Sequence, residues 1–414
     1  MSQILKGMRV VESSAFVAVP LAGMTLAQMG AEVIRFDRIG GGLDHTRWPV
    51  APNGQSLFWD GLNKGKKSIA VDMKSAQGKE LITRIVTAPG EDAGLFITNL
   101  AVKGWLDHAS LSQHRADMIT VTLTGDRQGH PQVDYTVNPS LGIPHMTGPE
   151  GYADPVAHAL PAWDVAAGQM VVSALLAAER NRLRRGTGQD VTFSLKDVAA
   201  ATIGHLGLIA EAALTGKARG KSGNALYGAY GQDFVCSDGK RIMVIGLTER
   251  QWLGLVRMTG TEAAMARLAD CTGRDLCDEG ARFALRHDIT GILKPWFAVR
   301  PSKVAGQECD KAGVTWSQFR SIPEALAEDP DLSEDNPMFR VLNHPGVGRY
   351  PVPGSPLNFS GYARTDPVPA PALGAHTEEI LGDVVGLSDT EIAGLFDAGI
   401  VQSAAPRRSC RTAA

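Results

Sequence analysis

Short runs of consecutive apolar residues, separated by helix-like stretches, open the chain. Gly7-Met8-Arg9-Val10-Val11-Glu12 reads as a short buried strand, and Ala31 to Asp37 (AEVIRFD) as a second. Between them, Pro20 to Gly30 (PLAGMTLAQMG) reads as a helix with small residues for close packing. Strands near residues 8–13, 32–37, 69–72, 94–98 and 118–123 alternate with helical stretches. That alternation predicts an α/β fold built on a Rossmann-like, doubly wound parallel sheet. No Gly-x-Gly-x-x-Gly falls at a strand–helix turn, and Gly40-Gly41-Gly42 follows the second strand, which disfavours a nicotinamide dinucleotide site.

Residues 164–183 and 195–214 predict two long helices, the second opening with Ser194-Leu195-Lys196-Asp197. The texture changes near Gly220. Asp233-Phe234-Val235-Cys236 and Arg241-Ile242-Met243-Val244-Ile245 flank Ser237-Asp238-Gly239-Lys240, an antiparallel hairpin with an Asp-Gly turn. Helices then dominate from Glu249 to about Ala327. Dense Pro and Gly from Pro337 to Pro371 predict a long extended segment, and Ser388-Asp389-Thr390-Glu391 is a capping box for a last helix. The expected division is a large α/β domain over 1–218, a smaller α+β domain over 219–330, and a return segment with C-terminal helices over 331–401 that packs on the first domain. A small, basic, disordered tail over 402–414 completes it.

One carboxylate stands out. Asp164 opens the run Asp164-Val165-Ala166-Ala167-Gly168-Gln169-Met170, followed by an almost uninterrupted apolar stretch to Ala178. A helix apolar on nearly every face is expected to be buried. Free backbone N–H groups and the positive helix end favour an anion in the first turn, so a lone aspartate there reads first as a cap. The motifs around it decide otherwise.

Composition sets limits. The chain has 414 residues, 44% of them apolar, with a net charge of −3. No run reaches the roughly 18 apolar residues of a membrane span, and the near-neutral charge gives no attraction to nucleic acid. Five scattered cysteines (Cys236, Cys271, Cys277, Cys309, Cys410) form no Cys-x-x-Cys pair, which argues for reduced thiols and a cytoplasmic protein. Cations are clustered, however. Arg35, Arg38 and Arg47 flank the first loop, and Lys64, Lys66 and Lys67 crowd the second. Lysines such as Lys66 and Lys67 are as readily a solvated face as a ligand site. Loops at the ends of parallel strands converge on a ligand crevice, where a phosphate-rich anion fits.

Several separated motifs then fall in a familiar order. Gly7–Glu12, Ala31–Arg38, Leu62-Asn63-Lys64-Gly65-Lys66-Lys67-Ser68, Gly94–Asn99, Asp164, Gly186-Thr187-Gly188-Gln189 and Leu373–Leu381 together resemble the class III CoA-transferases, the family of formyl-CoA and carnitine CoA-transferases. The resemblance implies that Asp164 is a nucleophile and that coenzyme A enters as part of a thioester substrate, with no metal or other cofactor. It implies that Arg38, Asn63, Lys64, Gly65 and Lys66 hold the nucleotide and diphosphate of CoA. Asn99 and Leu100 match a further CoA-contacting turn, and Tyr135 an aromatic near the pantetheine arm. Val17 stands where formyl-CoA transferase has a glutamine, and backbone N–H groups are the expected replacement for polarising the thioester. The resemblance further implies an interlocked-ring homodimer whose partner molecules are acyl-CoA esters, with no nucleic acid and no membrane.

Ser14–Ala18, Ile39–Asp44, Val133–Pro139 and Gly204–Gly207 are similar to a branch of that family that moves CoA between the two carboxyls of mesaconate. An intermolecular transfer to another small acid, or 2-methylacyl-CoA racemisation, is the alternative. The racemase pattern places a histidine where Val133 stands here. His145, His205 and Arg47 are candidates for holding the non-reacting carboxylate, although His145, His205 and His376 read more readily as structural histidines. Tyr227 and Tyr230, in a segment (residues 223–231) that matches a mobile glycine loop, are candidates for the substrate pocket or for core packing.

Overall fold

The computed structural model describes residues 3–100 and 104–404. The first unit comprises residues up to Leu141, Ala159–Ala213, and the chain from Pro330 onward. It is built on six parallel strands: β1 (Arg9–Ser13), β2 (Glu32–Arg38), β3 (Lys67–Val71), β4 (Leu95–Thr98), β5 (Ile119–Thr124) and β6 (Gln189–Ser194). Their spatial order is β3-β2-β1-β4-β5-β6, and Val401–Gln402 adds antiparallel to the β3 edge. The near-continuous apolar strands follow from helices covering both faces. Ile34, Phe36, Ile69, Val71 and Phe96 pack against Leu81, Ile82 and Ile85 of the Ala76–Val86 helix. Ile380, Leu381, Ile392 and Leu395 close the same core, so the C-terminal helices do return to the first unit. Ser388 and Glu391 cap the last of them reciprocally.

Across the sheet, the Ala162–Arg185 helix lies against the Ala18–Gln28 helix. Gly168 makes this possible: a Cβ there would stand 2.6 Å from the carbonyl oxygen of Ala18. Trp163, Ala167, Gly168, Val171, Val172 and Leu175 face inward. The helix is not buried all round as its composition suggests, because Val165 and Met170 on the opposite face are exposed. The single helix expected over 195–214 is also broken. It runs Leu195–His205, bends by 67°, and resumes as Leu208–Thr215. Gly207, at φ +79°, supplies the turn. No single helix among the described residues is long and apolar enough to cross a membrane.

The second unit comprises Gly142–His158 and Leu214–Asp329. Its sheet joins the hairpin β7 (Tyr230–Val235) and β8 (Arg241–Gly246) to β9 (Thr315–Gln318), a strand the sequence pattern did not announce. Residues 142–158, expected in the first domain, belong here instead. Gly223 N–H donates to Gly148 O (3.2 Å), and Glu150 pairs with Arg286 and His287. The Pro-rich return segment also holds a hairpin, β10 (Phe339–His344) with β11 (Gly348–Pro353). Gln402, placed in the tail by its composition, pairs with Ala70, and the rest of that tail beyond residue 404 lies outside the described residues.

Beneath the carboxyl ends of β1 and β2, beside the start of β3, lies a buried ionic cluster. Arg35 donates to Asp37 (3.0 Å), Asp44 (3.1 Å), Asn63 (3.1 Å) and the carbonyl of Ser14 (3.0 Å). Lys66 Nζ donates to Glu12 (2.8 Å), Asn63 (2.9 Å) and the carbonyl of Pro20 (2.9 Å). Gly23 leaves room for Glu12, since a Cβ there would fall 1.7 Å from its carboxylate. Burial pulls the Lys66 ammonium down to about 8 even with Glu12 in contact, while burial of Asp37 is outweighed by Arg35, which holds that carboxyl at about 2. Removing one ion from such a pair strands the other. Lys66→Met is therefore expected to lower the unfolding free energy by about 3–5 kcal/mol. Lys67→Met, which breaks the partly exposed contacts to Glu32 and Glu379, should cost no more than about 1 kcal/mol. Denaturant titration of the two variants checks the difference, and equal small losses would contradict it.

Candidate active site

In an open parallel sheet, ligands bind beyond the carboxyl ends of the strands where the strand order reverses. Here that point lies between β1 and β4. The turn after β1 is locked by the turn after β4: Asn99 accepts the N–H of Ala15 (3.0 Å) and donates to its carbonyl (2.8 Å). The next residue, Phe16, is the one non-glycine with positive φ (+66°) among the described residues. Asp44 accepts its N–H at 3.0 Å, so the buried cluster reaches the site surface through this bond. A side chain held in that region costs about 1–3 kcal/mol and persists only where the surroundings fix it.

Phe16, Asn99 and Leu100 form one side of a cavity of about 190 Å³. The end of β5 (Leu123, Thr124) with Gly125, the turn Pro131-Gln132-Val133, and Leu195 beyond β6 form the rest. Gly125 allows that turn to fold back, since a Cβ would stand 2.2 Å from the N of Gln132. Asp164 enters from the first turn of its helix.

The Asp164 carboxylate accepts no hydrogen bond among the described residues, and its helix is capped by another residue. Pro161 occupies the N-cap position and offers no side-chain cap. Instead Asp134, buried at the start of the Asp134–Ser140 helix, accepts the N–H groups of Trp163 (2.7 Å) and Asp164 (3.3 Å). Burial pushes the Asp164 carboxyl up to about 7, the Asp134 charge adds to this, and the Arg47 guanidinium pulls the other way. Arg47 is held at the surface over the rings of Phe16 and Phe58, 5.1 Å from each. A carboxylate this basic, facing a cavity, suits nucleophilic attack better than structural capping.

The residues singled out in the sequence divide. Asp164, Asn99 and Leu100 meet at the cavity; Asn99 does so as a clamp on Ala15. Val17 is half-buried beside it, and the wall at that turn is Phe16. Arg38 ends β2 at the surface, its Nε donating to Gly41 O (2.7 Å). Gly65, at φ +75°, makes the turn into β3. Tyr135 is half-exposed and donates its hydroxyl to Ala159 O (3.3 Å).

Two expectations need correction. Asn63, Lys64 and Lys66 were expected at the phosphates, but all are buried and bonded within the protein. Asn63 and Lys66 belong to the ionic cluster, and Lys64 donates to Gly61 O, burial bringing its ammonium down to about 8. Tyr230 is a core residue of the second unit, fully buried and bonded to Thr290 (2.9 Å) with its ring edge-on to Trp252, so the core-packing reading holds for it. The N–H groups of Ala15 and Phe16 are taken by Asn99 and Asp44. His145 and Tyr227 are exposed residues of the second unit, Tyr227 with Arg219 stacked 3.7 Å over its ring. His205 is exposed at the end of the Leu195–His205 helix. His376 is structural: its Nδ1 accepts the N–H of Ser68 (3.2 Å), and burial lowers its pKa.

Two contributors escaped sequence reasoning. Phe16 carries no signal, because an aromatic in left-handed backbone is set by its neighbours. Asp134 had one: a proline three residues before Asp164 removes the N–H that a carboxylate in the first helical turn would otherwise reach back to accept.

The model of CoA-transferase family III matches residues 5–377. The chain is 54% identical to the 2-methylfumaryl-CoA isomerase of Chloroflexus aurantiacus, over 97% of this chain and 98% of that one. It is 28% identical to the mouse succinyl-CoA:glutarate CoA-transferase, over 96% of this chain and 90% of that one. A crystal structure of a CAIB/BAIF family protein from Brucella suis superimposes with a TM-score of 0.75 at 24% identity, covering 93% of this chain and all of that one. With the switch-point cavity and its basic aspartate, these matches place the protein: it is an enzyme of CoA-transferase family III.

Proposed function

We propose that this enzyme moves CoA between the two carboxyls of one C5 unsaturated dicarboxylate, interconverting 2-methylfumaryl-CoA and 3-methylfumaryl-CoA, with Asp164 as nucleophile. The observation that carries the chemistry is the Asp164 carboxylate, half-buried, raised to about 7 and facing the cavity at the sheet's switch point. The substrate rests on the 54% identical isomerase. A cavity of about 190 Å³ is below the roughly 300–1,000 Å³ of typical drug-sized ligand sites, which suits a small acid.

In this mechanism ionised Asp164 attacks the thioester carbonyl, expelling CoA thiolate and forming a mixed anhydride. The thiolate attacks the Asp164 carbonyl, giving an aspartyl-CoA thioester and the free dicarboxylate. The second carboxylate of that acid attacks the aspartyl thioester, and the released thiolate then attacks the new acyl carbonyl, restoring Asp164. Each step exchanges one acyl bond, so no redox partner is required. Water must be kept from the anhydride, which favours an enclosed site. Arg47, whose charge already acts on Asp164, is the best placed of the candidate cations for the idle carboxylate. Arg38, at the surface beyond β2, is the remaining phosphate contact. Exposed Trp48, Leu160 and Leu206 suit a homodimer in which a second copy covers them.

The acid limb follows from the raised pKa. Attack needs the anion, so kcat/KM should be full above neutrality and fall as pH drops through about 7. Asp164→Ala should remove turnover by several orders of magnitude while CoA still binds. A pH-rate profile and single-turnover assays check both, and a limb near pH 4 would contradict the environment described.

Incubating 2-methylfumaryl-CoA with enzyme and isotopically labelled free mesaconate tests the substrate. The expected result is isomerisation with no label in the thioester pool. Rapid labelling would mean intermolecular transfer, the kind named for the glutarate enzyme, and no conversion would point to a different acid.

A further inference from the structure

We infer that Asp134 is the positioning residue of the nucleophile, taking over the helix cap so that the Asp164 carboxylate is left to the substrate. The inference deepens the proposed reading of Asp164 and rests on it. An aspartate in the third helical position ordinarily turns back to accept the N–H of the N-cap residue. Here that residue is Pro161, which has none. The N–H groups of Trp163 and Asp164 still need an acceptor, since buried donors left unmet are costly. Asp134 meets both from a separate helix, at 2.7 and 3.3 Å. Four residues along the same short helix, Asn138 accepts the indole N–H of Trp163 at 3.2 Å, so two side chains one turn apart grip the residue next to the nucleophile. Asp134 and Asn138 are both buried, so water does not compete for either bond.

The arrangement has a chemical consequence. Two charged groups face Asp164, Asp134 from the Asp134–Ser140 helix and Arg47 from the loop after β2, and they act in opposite senses. The residue that caps the helix is thus also the one whose charge adds to burial in raising the nucleophile's pKa. Capping by an uncharged acceptor would hold the geometry and lose that second effect.

The two effects separate experimentally with 2-methylfumaryl-CoA as substrate. Asp134→Asn keeps an oxygen acceptor but removes the charge, so the acid limb of kcat/KM should move to lower pH by about one unit. Asp134→Ala removes both, and kcat should fall about 10- to 100-fold with KM changed less than about threefold. Asn at this position should recover most of the rate that Ala loses. An unmoved acid limb in Asp134→Asn overturns the inference, as does full kcat in Asp134→Ala. If the alanine variant does not fold, the asparagine profile alone decides. Asp164→Ala, run in parallel, keeps the two readings apart. Residual turnover there would remove Asp164 as nucleophile, whereas an inactive Asp164→Ala with an unmoved asparagine limb removes only the role of Asp134.

Discussion

The site depends on a cluster of ions buried one layer beneath it. Arg35 and Lys66, both fully buried, are met by Glu12, Asp37 and Asp44 beneath the carboxyl ends of β1 and β2, beside the start of β3. Such groups are tolerated only when each lone pair and proton finds a partner, so the cluster fixes the relative positions of the strand ends that supply them. Through Ser14 O and Asp44 it also dictates the path of the next residues, and Phe16 takes its strained backbone as the result. The floor of the cavity is therefore set by electrostatics one layer below it. This accounts for basic residues that look like phosphate ligands in the sequence and yet lie inside the protein.

At the cavity itself, environment assigns different tasks to two neighbouring carboxylates. Asp134 accepts two backbone N–H groups at the start of the Ala162–Arg185 helix. Asp164, one turn into the same helix, has the desolvation without comparable hydrogen bonds, and its carboxyl rises to about 7. Burial wins over the Arg47 charge here because Arg47 stays at the surface, where solvent screens it.

The glycines that matter do so by absence of volume. Gly168 lets the Asp164 helix reach the Ala18–Gln28 helix, Gly23 admits Glu12, and Gly125 lets the Gln132 turn close over β5. Each is a point where backbone or a charged group comes too near for a Cβ. Together they bring Asp164, Phe16 and Gln132 to one small space.

By itself, the sequence determined the parallel sheet, the Asp238-Gly239 hairpin, the capped last helix and the place of Asp164 in the first turn of its helix. These depend on local periodicity, turn chemistry and motif order, all written along the chain. It did not determine that Gly142–His158 joins the second unit, or that Tyr230 is core. Nor could it show that the 195–214 helix breaks at Gly207. Those outcomes rest on partners far away in sequence, such as Glu150 with Arg286 and Gly148 with Gly223. The sharpest case is the lysine loop. Lys64, Lys66 and Lys67 are alike in sequence, yet only the tertiary structure decided that Lys66 faces Glu12 inside while Lys67 faces Glu32 and Glu379 near the surface. Charge is a property of the residue, but whether it meets solvent, ligand or a buried counter-ion is fixed by what the fold places opposite it.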